Sequence, residues 1–168
     1  GSGGATAIVQ CTNLVTMTNI SDYNCTDVGP PFVPNSNDPY LYVDLWTDAL
    51  MKFDMHALAG MTVEFSTNEG DSWRGPTAIT WPYTVQDHQT ITSAPYPAYG
   101  YDTTYVFCVN GNFPAPLCSS SFDSGVTWTP EQQGAPPGCN SGGLTGHLAG
   151  SGDGNFYRGN PSCSGSGY

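Results

Sequence analysis

The chain contains three histidines, and two of them lie close to a carboxylate in the sequence. Asp54 comes shortly before His56, Asp87 directly precedes His88, and His147 follows much later in the chain. Because imidazole titrates near neutral pH, converging histidines and carboxylates can act as general acid and base or bind a metal. The alternative is that these side chains hydrogen-bond strand ends and order the interior. We take these five residues as the candidate catalytic set.

A second group of candidate residues is aromatic and suits carbohydrate binding. Several of its members lie in proline-rich stretches that look like exposed loops, such as residues 82–83 and 94–101. The set comprises Tyr40, Tyr42, Trp46, Trp81, Tyr83, Tyr96, Tyr99 and Tyr101. Aromatic rings displayed on loops can stack against sugars. Packing against proline, or against a neighbouring copy of the chain, is the competing interpretation.

Two eight-residue stretches share the pattern Ser-x-Asp/Asn-x-Gly-x-Ser/Thr-Trp and indicate an internal repeat. The residues that define them are Ser66, Asn68, Gly70 and Trp73 in the first, and Ser121, Asp123, Gly125 and Trp128 in the second. We expect the Asn or Asp side chain to accept hydrogen bonds from backbone amides two residues on, in an Asx-type turn. Glycine supplies positive φ, serine ties across the hairpin, and tryptophan covers it. These roles are structural.

Short strands surround both boxes and predict an all-β fold. In the first repeat we expect strands at Tyr40–Leu45, Leu50–Met55 and Met61–Ser66, with a short fourth strand near Trp73. In the second repeat we expect Gln89–Ala94, Tyr105–Val109, Leu117–Ser121 and Thr127–Thr129. A third, partial unit begins near residue 146 and turns at Asp153-Gly154. Four antiparallel strands per unit are typical of β-propeller blades. The sequence therefore predicts two full propeller-like blades plus partial ones, stapled by disulfides.

The boxes resemble the Asp-box, or BNR, repeat of sialidase-like β-propellers. Further stretches resembling secreted bacterial exo-sialidase-like proteins are 38–44, 62–66, 87–90 and 146–148, so the resemblance covers about residues 38–163. It implies an active site at the central axis, boxes on the outer rim and, if the protein is an enzyme, an exo-sialidase-like glycoside hydrolase. Sialidases bind the substrate carboxylate with three arginines, whereas this chain has only Arg74 and Arg158. A full sialidase site within one copy is therefore not expected.

Length, charge and hydropathy narrow the class of protein. A chain of 168 residues suits one domain with a real core. We divide it into residues 1–37, N-terminal strands and a loop that complete a blade, and 38–168, the sialidase-like blades. The formal net charge of −11, with three basic residues, argues against nucleic-acid partners and anionic membranes. No apolar stretch reaches the roughly 20 residues needed to span a bilayer.

Cysteine usage indicates an oxidising compartment. The six cysteines show no Cys-x-x-Cys metal spacing and allow 15 pairings. We expect sequence neighbours to pair, as Cys11–Cys25, Cys108–Cys118 and Cys139–Cys163. Glycosylation sequons at Asn19 and Asn24 agree with a secreted, extracellular glycoprotein. No metal site is predicted; calcium is the one cofactor that the acidic composition favours, without a dense Asp run to hold it.

Two functions follow from these observations. The first is a secreted sialidase-like module that binds or acts on a carbohydrate or glycoprotein. The second is an extracellular structural subunit that assembles as a homo-oligomer or polymer, in a filament or surface layer, by completing blades between copies. Two full units are fewer than the roughly four to eight blades that close a propeller, which is what favours the second function.

Overall fold

The computed structural model describes residues 7–12, 19, 24–30, 39–56, 60–79, 86–95, 103–111, 116–136, 146–159, 162–163 and 166–167. Within these ranges the chain forms fourteen β-strands and no helix, so the prediction of an all-β fold is confirmed. The strands make two four-stranded antiparallel sheets and three two-stranded hairpins.

Sheet I has the strand order β3-β4-β5-β6, and sheet II has the order β10-β9-β8-β7. Sheet I consists of β3 Tyr40–Val43, β4 Leu50–Met55, β5 Met61–Ser66 and β6 Arg74–Ala78. Sheet II consists of β7 Gln86–Pro95, β8 Thr103–Gly111, β9 Leu117–Ser121 and β10 Gln132–Gln133. The N-terminal hairpin is β1 Val9–Thr12 with β2 Asn24–Asp27, and the C-terminal hairpin is β11 Leu148–Gly150 with β12 Phe156–Arg158. A last pair is β13 Ser162–Cys163 with β14 Ser166–Gly167.

The core lies between the two sheets and follows from period-two alternation along β4 and β5. Along β4, Met51, Phe53 and Met55 alternate with Lys52 and Asp54, so one face is apolar and the other is ionic. The apolar cluster comprises Met51, Phe53, Met55, Met61, Val63, Phe65, Ile79, Ile91, Tyr105 and Val109. Sheet II supplies the last three of these residues, so the two sheets share one core.

Four predicted strands differ from the observed ones. Strands β7 and β8 extend at both ends beyond the predicted Gln89–Ala94 and Tyr105–Val109. The first strand of sheet I ends at Val43 instead of Leu45, because the Asp44 side chain accepts a hydrogen bond from Trp46 N at 3.1 Å and begins a turn. The prediction of a strand at Thr127–Thr129 is wrong, since the fourth strand of sheet II is β10. Thr129 N donates to Ser120 O at 2.8 Å, but Ser120 N donates to the side-chain Oγ1 of Thr129 at 2.9 Å. A side chain thus takes the place of one of the two backbone bonds that a strand would make here.

Two of the three expected disulfides are present. Cys11 pairs with Cys25 across the N-terminal hairpin, and Cys108 pairs with Cys118 across β8 and β9. In both cases the two cysteines are direct cross-strand partners, which is the register that sequence neighbours in a hairpin allow. The predicted Cys139–Cys163 pair falls outside the described residues, because Cys139 is not among them.

The first strands of successive units lie beside one another. Tyr40, the first residue of β3, contacts His147, just before β11, and Trp46, after β3, lies near Gly152, after β11. Strand β7 also runs alongside β11, because the Leu148 N–H donates to Thr90 Oγ1 at 2.9 Å. A Cβ on Gly150 would also lie 1.9 Å from Ser93 O, and β3 contacts β7 as well. Because the contacts of β11 with β3 and with β7 follow the same order along each chain segment, the three strands run in the same direction.

Candidate functional site

The predicted histidines are partly brought together where these first strands begin. The rings of His88 and His147 lie 5.3 Å apart in an edge-on arrangement, and the ring of Tyr40 lies 6.1 Å from that of His147. His88 sits in an irregular stretch of β7 with φ of 53°, and its N–H donates to Asp87 Oδ1 at 2.7 Å. Positive φ is uncommon for a residue with a side chain and often marks a turn or a functional position. One residue from each of three units thus meets at this junction.

The remaining members of the candidate catalytic set lie elsewhere. His56 Nε2 is 2.9 Å from Thr62 Oγ1, on the neighbouring strand β5. Asp54 is fully buried and forms an ion pair with Lys52 at 2.7 Å. Asp87 is already engaged by the backbone of His88. In the described part of the chain, no group of three or more His, Cys, Asp and Glu side chains is arranged to hold a metal ion. Catalytic roles for these residues stay predictions.

The first box forms a closed hydrogen-bonded turn between β5 and β6. Gly70 N donates to Ser66 Oγ at 2.9 Å, and Ser72 N donates to Asn68 Oδ1 at 3.0 Å. The Ser66 hydroxyl donates to Asn68 Oδ1 at 3.0 Å. The side-chain oxygen therefore accepts from the amide four residues on, not two as expected, and the serine acts inside the turn. Gly70 has φ of 96°, as predicted.

The second box repeats this geometry. Gly125 N donates to Ser121 Oγ at 2.8 Å, Thr127 N donates to Asp123 Oδ1 at 2.9 Å, and Gly125 has φ of 78°. Slight burial acts to raise the pKa of Asp123, but hydrogen bonds from Thr127 and Ser121 outweigh it and hold that pKa below its ordinary value. Two boxes of the same sequence pattern thus build the same turn, which is the structural role that the sequence predicts.

Each box also docks on the unit that precedes it in the chain. A Cβ on Gly70 would lie 2.8 Å from Val28 Cβ, and Trp73 Nε1 donates to Val28 O at 2.7 Å. A Cβ on Gly125 would fall 1.9 Å from the ring of Phe65 in sheet I. The first box therefore packs on the segment that follows the N-terminal hairpin, and the second packs on sheet I. Spacing within the sequence gives no sign of this second role.

Arg74 and Arg158 are the only two arginines available for comparison with the three that bind substrate in sialidases, and they lie in different surroundings. The Arg74 guanidinium lies 5.0 Å from the centroid of Phe65 and donates to Ser124 O at 3.0 Å, so it holds the second box against sheet I. Arg158 lines an open cavity of about 400 Å³ beside the Cys108–Cys118 disulfide. Burial lowers the pKa of Arg158. The two arginines therefore line different cavities.

A buried carboxylate, Asp44, joins the two sheets and was missed in the sequence. Ser93 Oγ donates to Asp44 Oδ1 at 2.6 Å, and the hydroxyls of Tyr105 and Thr47 donate to Oδ2 at 2.9 and 2.5 Å. The Trp46 backbone amide donates to the same side chain. Asp44 therefore ties sheet II to the turn at residues 45–47. The available signal was an Asp placed directly after a strand and before a polar turn, which is common for turn-forming residues.

The turn that Asp44 fixes displays Trp46, one of the aromatic candidates. Its side chain is 51% exposed, and its indole edge faces the C-terminal hairpin, since a Cβ on Gly152 would lie 3.6 Å from Trp46 Cη2. The adjoining turn resembles a shortened box. The Ser151 hydroxyl donates to Asp153 Oδ1, and Asn155 Nδ2 donates to Asp153 Oδ2 at 2.8 Å. An exposed indole thus lies beside a turn of hydroxyl, carboxylate and amide groups.

Other aromatic candidates have different surroundings. The Tyr42 hydroxyl is 2.7 Å from Ser93 Oγ, so Tyr42 belongs to the network between the sheets. Tyr40 packs against Phe53 and His147. Trp81, Tyr83, Tyr96, Tyr99 and Tyr101 lie outside the described residues.

The remaining sequence predictions concern modification and membranes. Asn19 and Asn24 are both exposed, as a glycosylated asparagine must be, although their modification stays a prediction. Over the residues that the structure describes, there is no helix with the length and apolar character needed to cross a membrane. The two disulfides are compatible with the extracellular location that cysteine usage predicts.

Comparisons with known proteins add no relative. No protein-family model matches the chain, and neither a curated protein nor a solved structure shows significant similarity to it. The sialidase-like resemblance of the boxes therefore remains a prediction.

Proposed function

We propose that this protein is a secreted, carbohydrate-binding module of stacked, propeller-like β-units, and that it binds glycans around Trp46. The observation that carries the proposal is the half-exposed indole on a turn fixed by a buried carboxylate. Sugars present C–H faces that pack on aromatic rings, and hydroxyls that need hydrogen-bonding partners. The indole supplies the first requirement, and the polar turn of the C-terminal hairpin supplies the second.

Rigid display favours binding at this position. Asp44 holds the turn through the Trp46 amide and the Thr47 hydroxyl, and it is itself held by Ser93 and Tyr105. A turn whose backbone is already ordered loses less conformational entropy when a ligand binds. The polar neighbour, Asp153, is also positioned by hydrogen bonds from Ser151 and Asn155, which hold its pKa below the ordinary value and keep it ionised at neutral pH.

The parallel first strands support a propeller-like arrangement of the units. In a propeller the innermost strand of every blade runs in the same direction around the axis. Strands β3, β7 and β11 have this relation, and the boxes connect the third and fourth strands of the two sheets, far along each sheet from the first strand. On this proposal the His88–His147 junction faces the axis, and Trp46 lies at the opposite end of the first strands.

A glycan array followed by calorimetric titration with the glycans it identifies tests the proposal. We expect Trp46→Ala to weaken binding by about fivefold or more, taking for a sugar on the indole the order of 1–3 kcal/mol that a ring stacked on an aromatic side chain contributes. Phe122→Ala is the matched control, because Phe122 is also 51% exposed but lies in the second box. Equal binding by wild type and Trp46→Ala, or no retained glycan at all, would contradict the proposal.

Self-assembly is the second candidate, and a specific apolar surface favours it. Leu41 and Val43 of β3 and Val9 of β1 are about half exposed or more, on the sheet I face that the N-terminal hairpin only partly covers. Ile8, the residue before β1, lies next to Val9 and Leu41 but is buried, with only 5% of its area exposed. Because each box in this chain docks on a preceding unit, the occupant that we propose for this face is a unit of a second copy.

A further inference from the structure

A buried ionic cluster lies on the face of sheet I opposite the core. Lys52, Asp54 and Glu64 are 1%, 0% and 4% exposed. Lys52 Nζ is 2.7 Å from Asp54 Oδ2 and 2.5 Å from Glu64 Oε2. The sequence explains the meeting, because Lys52 and Asp54 point to the same side of β4, and Glu64 is the direct cross-strand partner of Lys52 on β5.

The cluster is chemically unusual for this chain. The protein has three basic residues, and one of them is placed out of solvent between two carboxylates. Removing three ionised groups from water carries a large desolvation cost, and this set retains a formal charge of −1 when all three are ionised. An apolar cavity lined by Ile8, Val9 and Leu41 adjoins Lys52, so the surroundings solvate charge poorly.

We propose that Lys52 and Asp54 form an intramolecular amide bond, with Glu64 as the proton carrier. Glu64 takes a proton from the Lys52 ammonium and leaves a neutral amine. The Nζ lone pair attacks Cγ of Asp54 and forms a C–N bond. Glu64 returns the first proton to an Asp54 oxygen and then carries a second proton from Nζ to the same oxygen. The C–O bond of Asp54 breaks, and that oxygen leaves as water. One ammonium and one carboxylate thus become one amide and one water, with no oxidant or other reactant.

The geometry assigns the two carboxylates these different roles. Glu64 makes the shorter contact with Nζ and is the less buried of the two, so it is suited to moving a proton. Asp54 is fully buried and is held at 2.7 Å from the same nitrogen. Because the fold holds the amine and the carboxyl in contact, the reaction does not depend on their rare encounter in solution and is faster. The poorly hydrated surroundings favour the neutral product over the ion pair that it replaces.

Intact mass spectrometry of the denatured protein tests this proposal without any variant. We expect a mass lower than that of the disulfide-bonded sequence by one water molecule, and the deficit should remain after reduction. Trypsin should fail to cleave after Lys52, and fragmentation should place the link between Lys52 and Asp54. A full, undiminished mass would overturn the proposal, and a link to Glu64 would overturn the assignment of Asp54 as acceptor.

Two variants separate this reaction from other losses of water. Cyclisation at Asp153-Gly154 would lower the mass equally, but Lys52→Arg would not affect it. Lys52→Arg keeps the positive charge and has no amine to react, so we expect its full mass. Glu64→Gln keeps the shape and removes the proton carrier, so amide formation during refolding should slow by tenfold or more. A mass deficit retained in Lys52→Arg, or an unchanged rate in Glu64→Gln, would count against the mechanism.

Discussion

At the scale of single residues, Asp44 stabilises two features at once, the contact between the sheets and the turn that displays Trp46. It is fully buried at the end of sheet I's first strand, and it accepts hydrogen bonds from Ser93 and Tyr105 of sheet II and from the turn that displays Trp46. A buried carboxylate is stable only when hydrogen-bonding donors replace water, and here hydroxyl and amide donors do so. The proposed binding surface and the contact between the sheets therefore depend on the same side chain.

Replacing Asp44 with alanine should lower the free energy of unfolding by about 3 kcal/mol, because buried donors lose their acceptor. Urea denaturation measures the loss, and glycan binding should weaken together with it. Asp71→Ala is the control, since Asp71 is exposed in the first box and its removal should change stability by less than about 0.5 kcal/mol. Equal stabilities of the two variants would show that the network contributes little.

Tyr105 should make the protein sensitive to alkaline pH. Burial raises the pKa of Tyr105, and the charge of neighbouring Asp44 adds to the effect. The folded pKa is thus above the unfolded value of about 10, so the stabilisation is complete below about pH 10 and is lost as the pH rises further. Unfolding free energies measured up to strongly alkaline pH should fall more steeply in wild type than in Tyr105→Phe. Parallel curves would contradict this assignment.

At the scale of elements, the box turns were predictable in part. Gly70 and Gly125 have the positive φ that the sequence indicates, because a turn residue without a side chain adopts it readily. The sequence did not predict positive φ at Glu69 and Ser124. It also predicted the wrong donor, because the Asn or Asp side chain accepts from the amide four residues on and not two. Local spacing defines which groups are available for hydrogen bonds, but the docking on Val28 and Phe65 depends on contacts distant in sequence.

The docking of the second box can be tested at its glycine. Gly125→Ala places a methyl group within 1.9 Å of the Phe65 ring at a positive φ, so it should destabilise the protein by roughly 2 kcal/mol or more. Gly152→Ala is the matched control, since its methyl group meets only Trp46 Cη2 at an ordinary 3.6 Å. Thermal denaturation compares them. A Gly125→Ala protein as stable as Gly152→Ala would mean that the ring moves aside freely.

At the scale of the whole molecule, the sequence predicted the all-β class and most strands of the two sheets. The period-two alternation of Leu50–Met55 and Met61–Ser66 was sufficient for their bounds. The candidate catalytic set was less predictable, because His88 and His147 meet only through the packing of separate units. Asp54 lies apart from them, on the face of sheet I opposite the core, where it pairs with Lys52. The period-two alternation of a strand predicts which residues share a face, but it does not predict which faces pack against each other.

Net charge should govern any association between copies. A charge of −11 repels like molecules, and salt screens this repulsion over about 10 Å at 0.1 M. If the sheet I surface receives a second copy, sedimentation velocity should show larger species at about 0.5 M salt than at about 0.02 M. A Leu41→Ser, Val43→Thr variant should remain monomeric at both concentrations, unlike the control Val126→Thr in the second box. A wild type that remains monomeric at both salt concentrations would contradict self-assembly.

The docking of each box on the preceding unit has a consequence for how such a chain can lengthen. Sheet I carries both a glycine turn that packs on the unit before it and, in Phe65, the ring that receives the turn of the unit after it. A tandem duplication of this segment would therefore bring both halves of a new interface at once. A gene that encodes such a chain can gain a unit by duplication without evolving a new contact, provided that the glycine and the ring are duplicated together.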